Sequence, residues 1–130
     1  MKTQRIFILS SQTLLARGVG KLLTGQRGLR VVGTETDPRE GIQHIRTSHP
    51  DVVILGGGNG GPPSLAVVSA VFEASPGTTV IGLSLGDNLL HVYEDSQIKV
   101  ARVEDLLQAI RQATVSRFRT AERAVKAERS

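Results

Sequence analysis

"LRVVGTETDPREGIQHIRTSHPDVVIL", residues 29–55, is the stretch on which the fold turns. It opens on the β-branched run 29–35, which reads as a strand. Asp37-Pro38-Arg39-Glu40 follows, with a cap residue, proline at the first helical position and a carboxylate three residues past the cap. That combination starts a helix, and Ile42 and Ile45 give it an apolar side. The stretch closes on "DVVIL" (51–55), apolar residues without polar alternation. A strand, a capped helix and a second apolar strand form a βαβ unit, whose strands run parallel and are buried on both faces.

The pattern repeats in both directions. "QRIFILS" (4–10) reads as a strand, and "QTLLARGVGKLL" (12–23) places Leu14, Leu15, Val19, Leu22 and Leu23 at helical spacing in spite of two internal glycines. Past the glycine-rich run 56–61 and Pro62-Pro63, a helix is expected from about 65 to 74. Ser75-Pro76-Gly77 stops it before the strand "TVIGLS" (79–84). The expected architecture is a single open, doubly wound α/β domain with a mostly parallel sheet.

After Ser84 the rhythm changes. A parallel crossover takes a dozen or more residues, and only "LGDNLLHVYEDSQ" separates strand four from "IKV". Leu90 and Val92 alternate with His91 and Tyr93, and Ile98 and Val100 flank Lys99, which predicts a small hairpin turning near 94–97. A short helix capped by Asp87 is the competing reading. From Val103 onward there is no glycine or proline. At 100° per residue, Val103, Leu107, Ile110, Phe118, Ala121 and Val125 share one stripe and Arg111, Arg119, Arg123, Lys126 and Arg129 another, as in one long amphipathic helix. The division is a domain over 1–112 and a basic helical extension or linker over 113–130.

Composition narrows the function classes. The chain of 130 residues fits one domain and has no cysteine, so disulfides, thiolate nucleophiles and zinc–cysteine sites are excluded. No apolar run approaches membrane-spanning length and the N-terminus lacks a signal pattern, so a cytoplasmic protein is expected. The net charge of +4 is uneven: residues 1–110 carry ten Lys/Arg against ten Asp/Glu, and residues 111–130 carry six against two. A neutral domain does not offer the clustered cations that a nucleic-acid grip requires.

With that order in hand, "SSQTLLARGVGKLL", "LRVVGTETDPREGIQHIRTSHPDVVIL", "SPGTTVIGLS" and "VEDLLQAI" resemble a response-regulator receiver domain of the NarL/FixJ type, over residues 4–84 and again from about 98 to 112. The resemblance implies a five-stranded parallel α/β domain that takes a phosphoryl group on an aspartate ending strand three, with Mg²⁺ held by acidic residues after strand one. Carried over, the acidic pair falls on Ser10 and Ser11 and the phosphoacceptor on Gly56. The strand-four hydroxyl is retained as Ser84, and Lys99 is the candidate for the lysine ending strand five. Mg²⁺ usually needs carboxylate ligands and phosphorylation needs a nucleophilic oxygen, so a degenerate site is expected, without metal, cofactor or catalysis. Ser10 and Ser11 also read as caps of the first helix.

Gly56, Gly58 and Gly61 satisfy G-x-G-x-x-G, but after the third strand, with two prolines before the helix and without the G-K-[ST] ending of a P-loop. Gly57, Gly58, Asn59, Gly60 and Gly61 are kept as a candidate loop for a partner or an anion. In the family resembled, the face of helix four, strand five and helix five commonly mediates dimerisation or output contacts. The expected function is therefore a phosphorylation-independent signalling module that forms a homodimer or binds a heterologous signalling protein, with Leu107, Ile110, Phe118 and Val125 as the candidate face. No helix-turn-helix follows residue 112, so a DNA-binding output is expected to be missing from this chain. The alternatives are a small-anion or nucleotide sensor using the glycine loop and a DNA-associated protein using the basic helix.

Overall fold

In the computed structural model, which describes residues 3–56, 61–94 and 98–112, four strands run parallel: β1 (Gln4–Ser10), β2 (Leu29–Glu35), β3 (Val52–Gly56) and β4 (Thr79–Ser84). They are joined by α1 (Thr13–Leu23), α2 (Pro38–Ser48) and α3 (Leu65–Ala74). Each apolar run serves both faces at once because side chains alternate along a strand. Ile6, Ile8, Val52, Ile54, Ile81 and Leu83 pack with residues of α1 and the C-terminal helix. Phe7, Leu9, Val53, Leu55 and Val80 pack with Ile45 of α2 and Val68, Val71 and Ala74 of α3.

The predicted boundaries of α2 and α3 are met. Asp37 caps α2 through Oδ1, which accepts from the Arg39 N–H at 3.1 Å, with Pro38 at the helix start. Ser64 caps α3 by accepting from the Val67 N–H at 3.3 Å. The first helix begins differently from expectation. Its cap position is Gln12, which makes no side-chain capping bond, while Ser10 Oγ accepts from the Gln12 N–H at 3.1 Å and ties the turn leaving β1.

Among the described residues the sheet has six strands in the order β2-β1-β3-β4-β5-β6, not five. The chain leaves β4 through the turn 85–88, where Asn88 takes a left-handed conformation (φ 59), and reverses into β5 (Leu89–Tyr93), antiparallel to β4. Four residues cannot make a parallel crossover, so reversal is the geometry available. A second antiparallel strand, β6 (Ile98–Arg102), pairs with β5 from Tyr93↔Ile98 to Leu89↔Arg102. This is the hairpin predicted by the alternation; its turn residues 95–97 lie outside the described residues. Asp87 starts no helix and sits in the turn after β4.

A 3-10 turn (Val103–Asp105) then leads into a helix described over 106–112, so the helix begins a turn later than expected. Leu106 and Ile110 are buried in the core, and the Ile110 carbonyl accepts a hydrogen bond from Gln4 Nε2 at the start of β1. The extension 113–130 lies outside the described residues.

Candidate functional site

The C-terminal ends of the parallel strands open into a cleft of about 440 Å³ lined by Ser10, Ser11, Thr36, Gly56, Pro62 and Ser64, over a floor that includes Leu9 and Leu55. Its position follows from topology, because β1 and β3 are neighbours whose outgoing connections go to opposite faces, and open α/β sheets bind ligands at that divergence. The starts of α1, α2 and α3 all face this end.

Ser10 and Gly56 are directly paired across β1 and β3, and Gly56 in turn pairs with Leu83 of β4. A Cβ added at Gly56 would collide with Leu15 Cδ2 and lie 2.6 Å from Ser10 Oγ. A side chain at 56 therefore requires the end of Leu15 and the Ser10 hydroxyl to shift. The carboxylates nearest in sequence have other roles: Glu35 Oε1 accepts from the Thr36 N–H at 3.0 Å and Asp37 caps α2.

The donor set does not fit a divalent cation. Mg²⁺ binding calls for carboxylate oxygens in a near-octahedral shell, and the described cleft lining offers hydroxyls and backbone oxygens but no carboxylate. Among the described residues, no group of three or more His, Asp or Glu is placed to hold a metal. Asp51 is at the other end of β3, where its Oδ2 accepts from the Arg5 N–H at 2.9 Å and its backbone joins β1 to the start of β4.

Ser84 is buried at the end of β4, one residue beyond Leu83 and outside the cleft lining. Lys99 is not brought to it. Lys99 pairs with Val92, which pairs with Ile81, so it lies two strands out and three positions down from Ser84, roughly 10 Å in each direction. The cation level with Ser84 is Arg102, through Leu89; sequence reasoning missed it because the second reversal of the chain decides which end of β6 faces the cleft. The turn chemistry of Gly86-Asp87-Asn88 is the signal that could have found the first reversal, between β4 and β5, on which the direction of β6 also depends.

The remaining candidates separate. Gly61 borders the cleft, whereas Gly57, Gly58, Asn59 and Gly60 lie outside the described residues. Ile110 is fully buried and Leu107 packs against the same core, so neither is a free contact surface; Phe118 and Val125 lie outside the described residues. Of the histidines, His44 stacks edge-on to Phe7, His49 takes the left-handed cap position of α2, and His91 lies beside Tyr93 on β5. Leu14, Leu65 and Leu85 are exposed at the first turn of α1, the start of α3 and the turn after β4.

Solved structures resemble the chain over about three fifths of its length. The chain is similar to a LuxR-family two-component response regulator from Aurantimonas sp. SI85-9A1 (20% identity, TM-score 0.51, covering 61% of this chain and 56% of that one). It is also similar to the signal receiver domain of the putative response regulator NarL from Mycobacterium tuberculosis (25% identity, TM-score 0.53, covering 62% and 64%). The fold is that of a receiver domain. A third match is the RcsB response regulator of Salmonella typhimurium (17% identity, TM-score 0.53, covering 62% and 42%). The chain thus spans between two fifths and two thirds of the length of these proteins, and the 62% of its own length is about the extent of β1 through β4. No family model matches the chain, and no curated protein matches it. Among the described residues, no helix is long and apolar enough to cross a membrane.

Proposed function

We propose that this chain is a receiver-like signalling module that works without aspartyl phosphorylation, through self-association or contact with another signalling protein, and not as an enzyme. The observation that carries the reading is Gly56. The position the resemblance assigns to the phosphoacceptor has no side chain, and Leu15 and Ser10 fill the space where one would stand. A phosphoryl group needs an oxygen nucleophile, and the cleft supplies no carboxylate to replace it. The exposed Leu14, Leu65 and Leu85 around the same end support a surface read by another protein.

The reading is tested with acetyl phosphate and Mg²⁺, followed by intact-mass spectrometry, and with beryllofluoride followed by amide NMR. Unchanged mass and unchanged spectra are expected. A gain of one phosphoryl group on an acid-stable or acyl linkage would overturn it. Gly56→Asp is expected to remain unphosphorylated as well, because the cleft lining offers no further carboxylate to hold the Mg²⁺ that the transfer uses.

A second reading, small-anion binding, is favoured by the three helix starts and four hydroxyl side chains at the cleft. Against it, the Ser10 and Ser64 hydroxyls already accept from helix-start amides, as does Asp37. A thermal-shift titration with inorganic phosphate separates the two, because only the anion reading expects saturable stabilisation.

A further inference from the structure

Among the described residues, the face that α2 and α3 cover over β1, β3 and β4 is covered at Tyr93 and bare over Ile98 and Val100 of β6. Directly opposite residues in an antiparallel pair share a face. Tyr93 belongs to the α2–α3 core cluster, so His91 and their partners Val100 and Ile98 look to that same side. Ile98 is 59% and Val100 58% exposed, and these are the large apolar side chains of an edge strand that no helix covers among the described residues. His91, opposite Val100, keeps its Nδ1 buried without a hydrogen-bond partner among the described residues.

We infer that this bare face is the seat for residues 113–130 of a second copy, exchanged reciprocally between two chains. The inference rests on the self-association reading above and names the surface that reading uses. In sequence, Phe118, Ala121 and Val125 fall on one stripe of that segment, and Arg117, Arg119, Arg123, Lys126 and Arg129 give it positive charge. Of the charges around β5 and β6, Asp87 matches that charge and Lys99 and Arg102 do not, so the apolar stripe carries the fit.

Two arguments select the second copy's segment over other occupants. The first is area. Two short strands present a patch of about 10 Å by 17 Å, and packing it on its own equivalent falls well short of the roughly 800 Å² per partner of a stable interface. An added element from each chain supplies the difference. The second is connectivity. Leu106 and Ile110 hold the C-terminal helix on the opposite face of the sheet, and Gln4 fixes Ile110 at the start of β1, three strands from β5. To reach its own bare face, the chain would travel about 14 Å sideways and about 20 Å through the layers, which takes roughly seven extended residues and spends Phe118 on the crossing. A segment from a second copy carries no such constraint.

The test uses full-length chains and light scattering over a concentration range, with circular dichroism to establish folding. The parent chain is expected to dimerise, and Val100→Lys and Phe118→Asp each to weaken the dimer tenfold or more. Ile98→Lys is the second seat variant should Val100→Lys disturb the strand. Mixing Val100→Lys with Phe118→Asp restores one intact seat and one intact segment, so heterodimers are expected where neither variant dimerises alone. A dimer as tight in both seat variants as in the parent overturns the seat and leaves self-association standing. Seat and segment variants that fail to complement overturn the exchange. A parent chain that stays monomeric overturns both the seat and the self-association reading.

Discussion

The parallel and antiparallel parts of this sheet are built on different terms. From β1 to β4, excluding the edge strand β2, nearly every residue is buried, because helices cover both faces. In β6, four of five residues are exposed. The parallel part cannot be altered without disturbing two packed layers, whereas β5 and β6 add hydrogen bonds to its edge and leave one face free. Burial and exposure are therefore divided between strands of one sheet, and Lys99 on the outermost strand discourages indiscriminate edge pairing.

The largest effect that could break this comparison is at Ile54, almost completely buried in β3. Ile54→Ala is expected to cost about 2–5 kcal/mol in urea unfolding, and Val100→Ala on β6 less than about 0.5 kcal/mol. Equal costs would mean that the antiparallel strands share fully in the core. Gly82 comes next. It lies where the two parts meet, on β4 opposite His91, and a Cβ there would stand 2.6 Å from Pro63 Cδ and 3.3 Å from Tyr93 Cε2. The Pro63 ring is stiff and belongs to the short link into α3, so Gly82→Ala is expected to cost about 1–3 kcal/mol through overpacking. A neutral substitution would show that the Pro62-Pro63 link yields freely.

These two residues also mark how far the sequence could be read. Ile54 was legible, since an apolar run of strand length between a capped helix and a glycine-rich stretch has few alternatives. The Asp37-Pro38 start and the alternation around His91 and Lys99 were legible for the same reason: each rests on chemistry within a few residues. Gly82 was not, because its requirement comes from Pro63, nineteen positions earlier and brought over it only by folding. Nor was the role of Leu15, which reads as one more helix-face leucine and in the structure fills the space beside Gly56. Carrying Lys99 over from the resemblance assumed one parallel strand after β4; two reversals put Arg102 at that level instead.

Smaller effects refine the boundary within the covered part. Asp37→Ala removes the acceptor for the Arg39 N–H and is expected to cost about 1 kcal/mol, with Asp37→Asn recovering most of it. Hydrogen exchange should show the loss concentrated in the first turn of α2 and absent from β5 and β6. Loss of protection in the hairpin would join the two parts into one cooperative unit.

The smallest expected effect lies on the boundary itself. Tyr93 belongs to β5 by hydrogen bonding and to the α2–α3 core by packing, and burial raises its phenol above the ordinary value of 10.0. The native state then keeps this proton where the unfolded chain begins to lose it. Above pH 10 the unfolded state binds fewer protons, so stability contributed by the neutral phenol is full below pH 10 and declines as pH rises toward the native value. Subtracting the unfolding profile of Tyr93→Phe from that of the parent isolates this slope from the lysines that titrate nearby. A difference that is flat below pH 10 and falls above it places Tyr93 inside the covered core. A difference flat throughout would move the boundary on the α2–α3 face inward by one strand, leaving Leu90 and Val92 of β5 in the core of the other face.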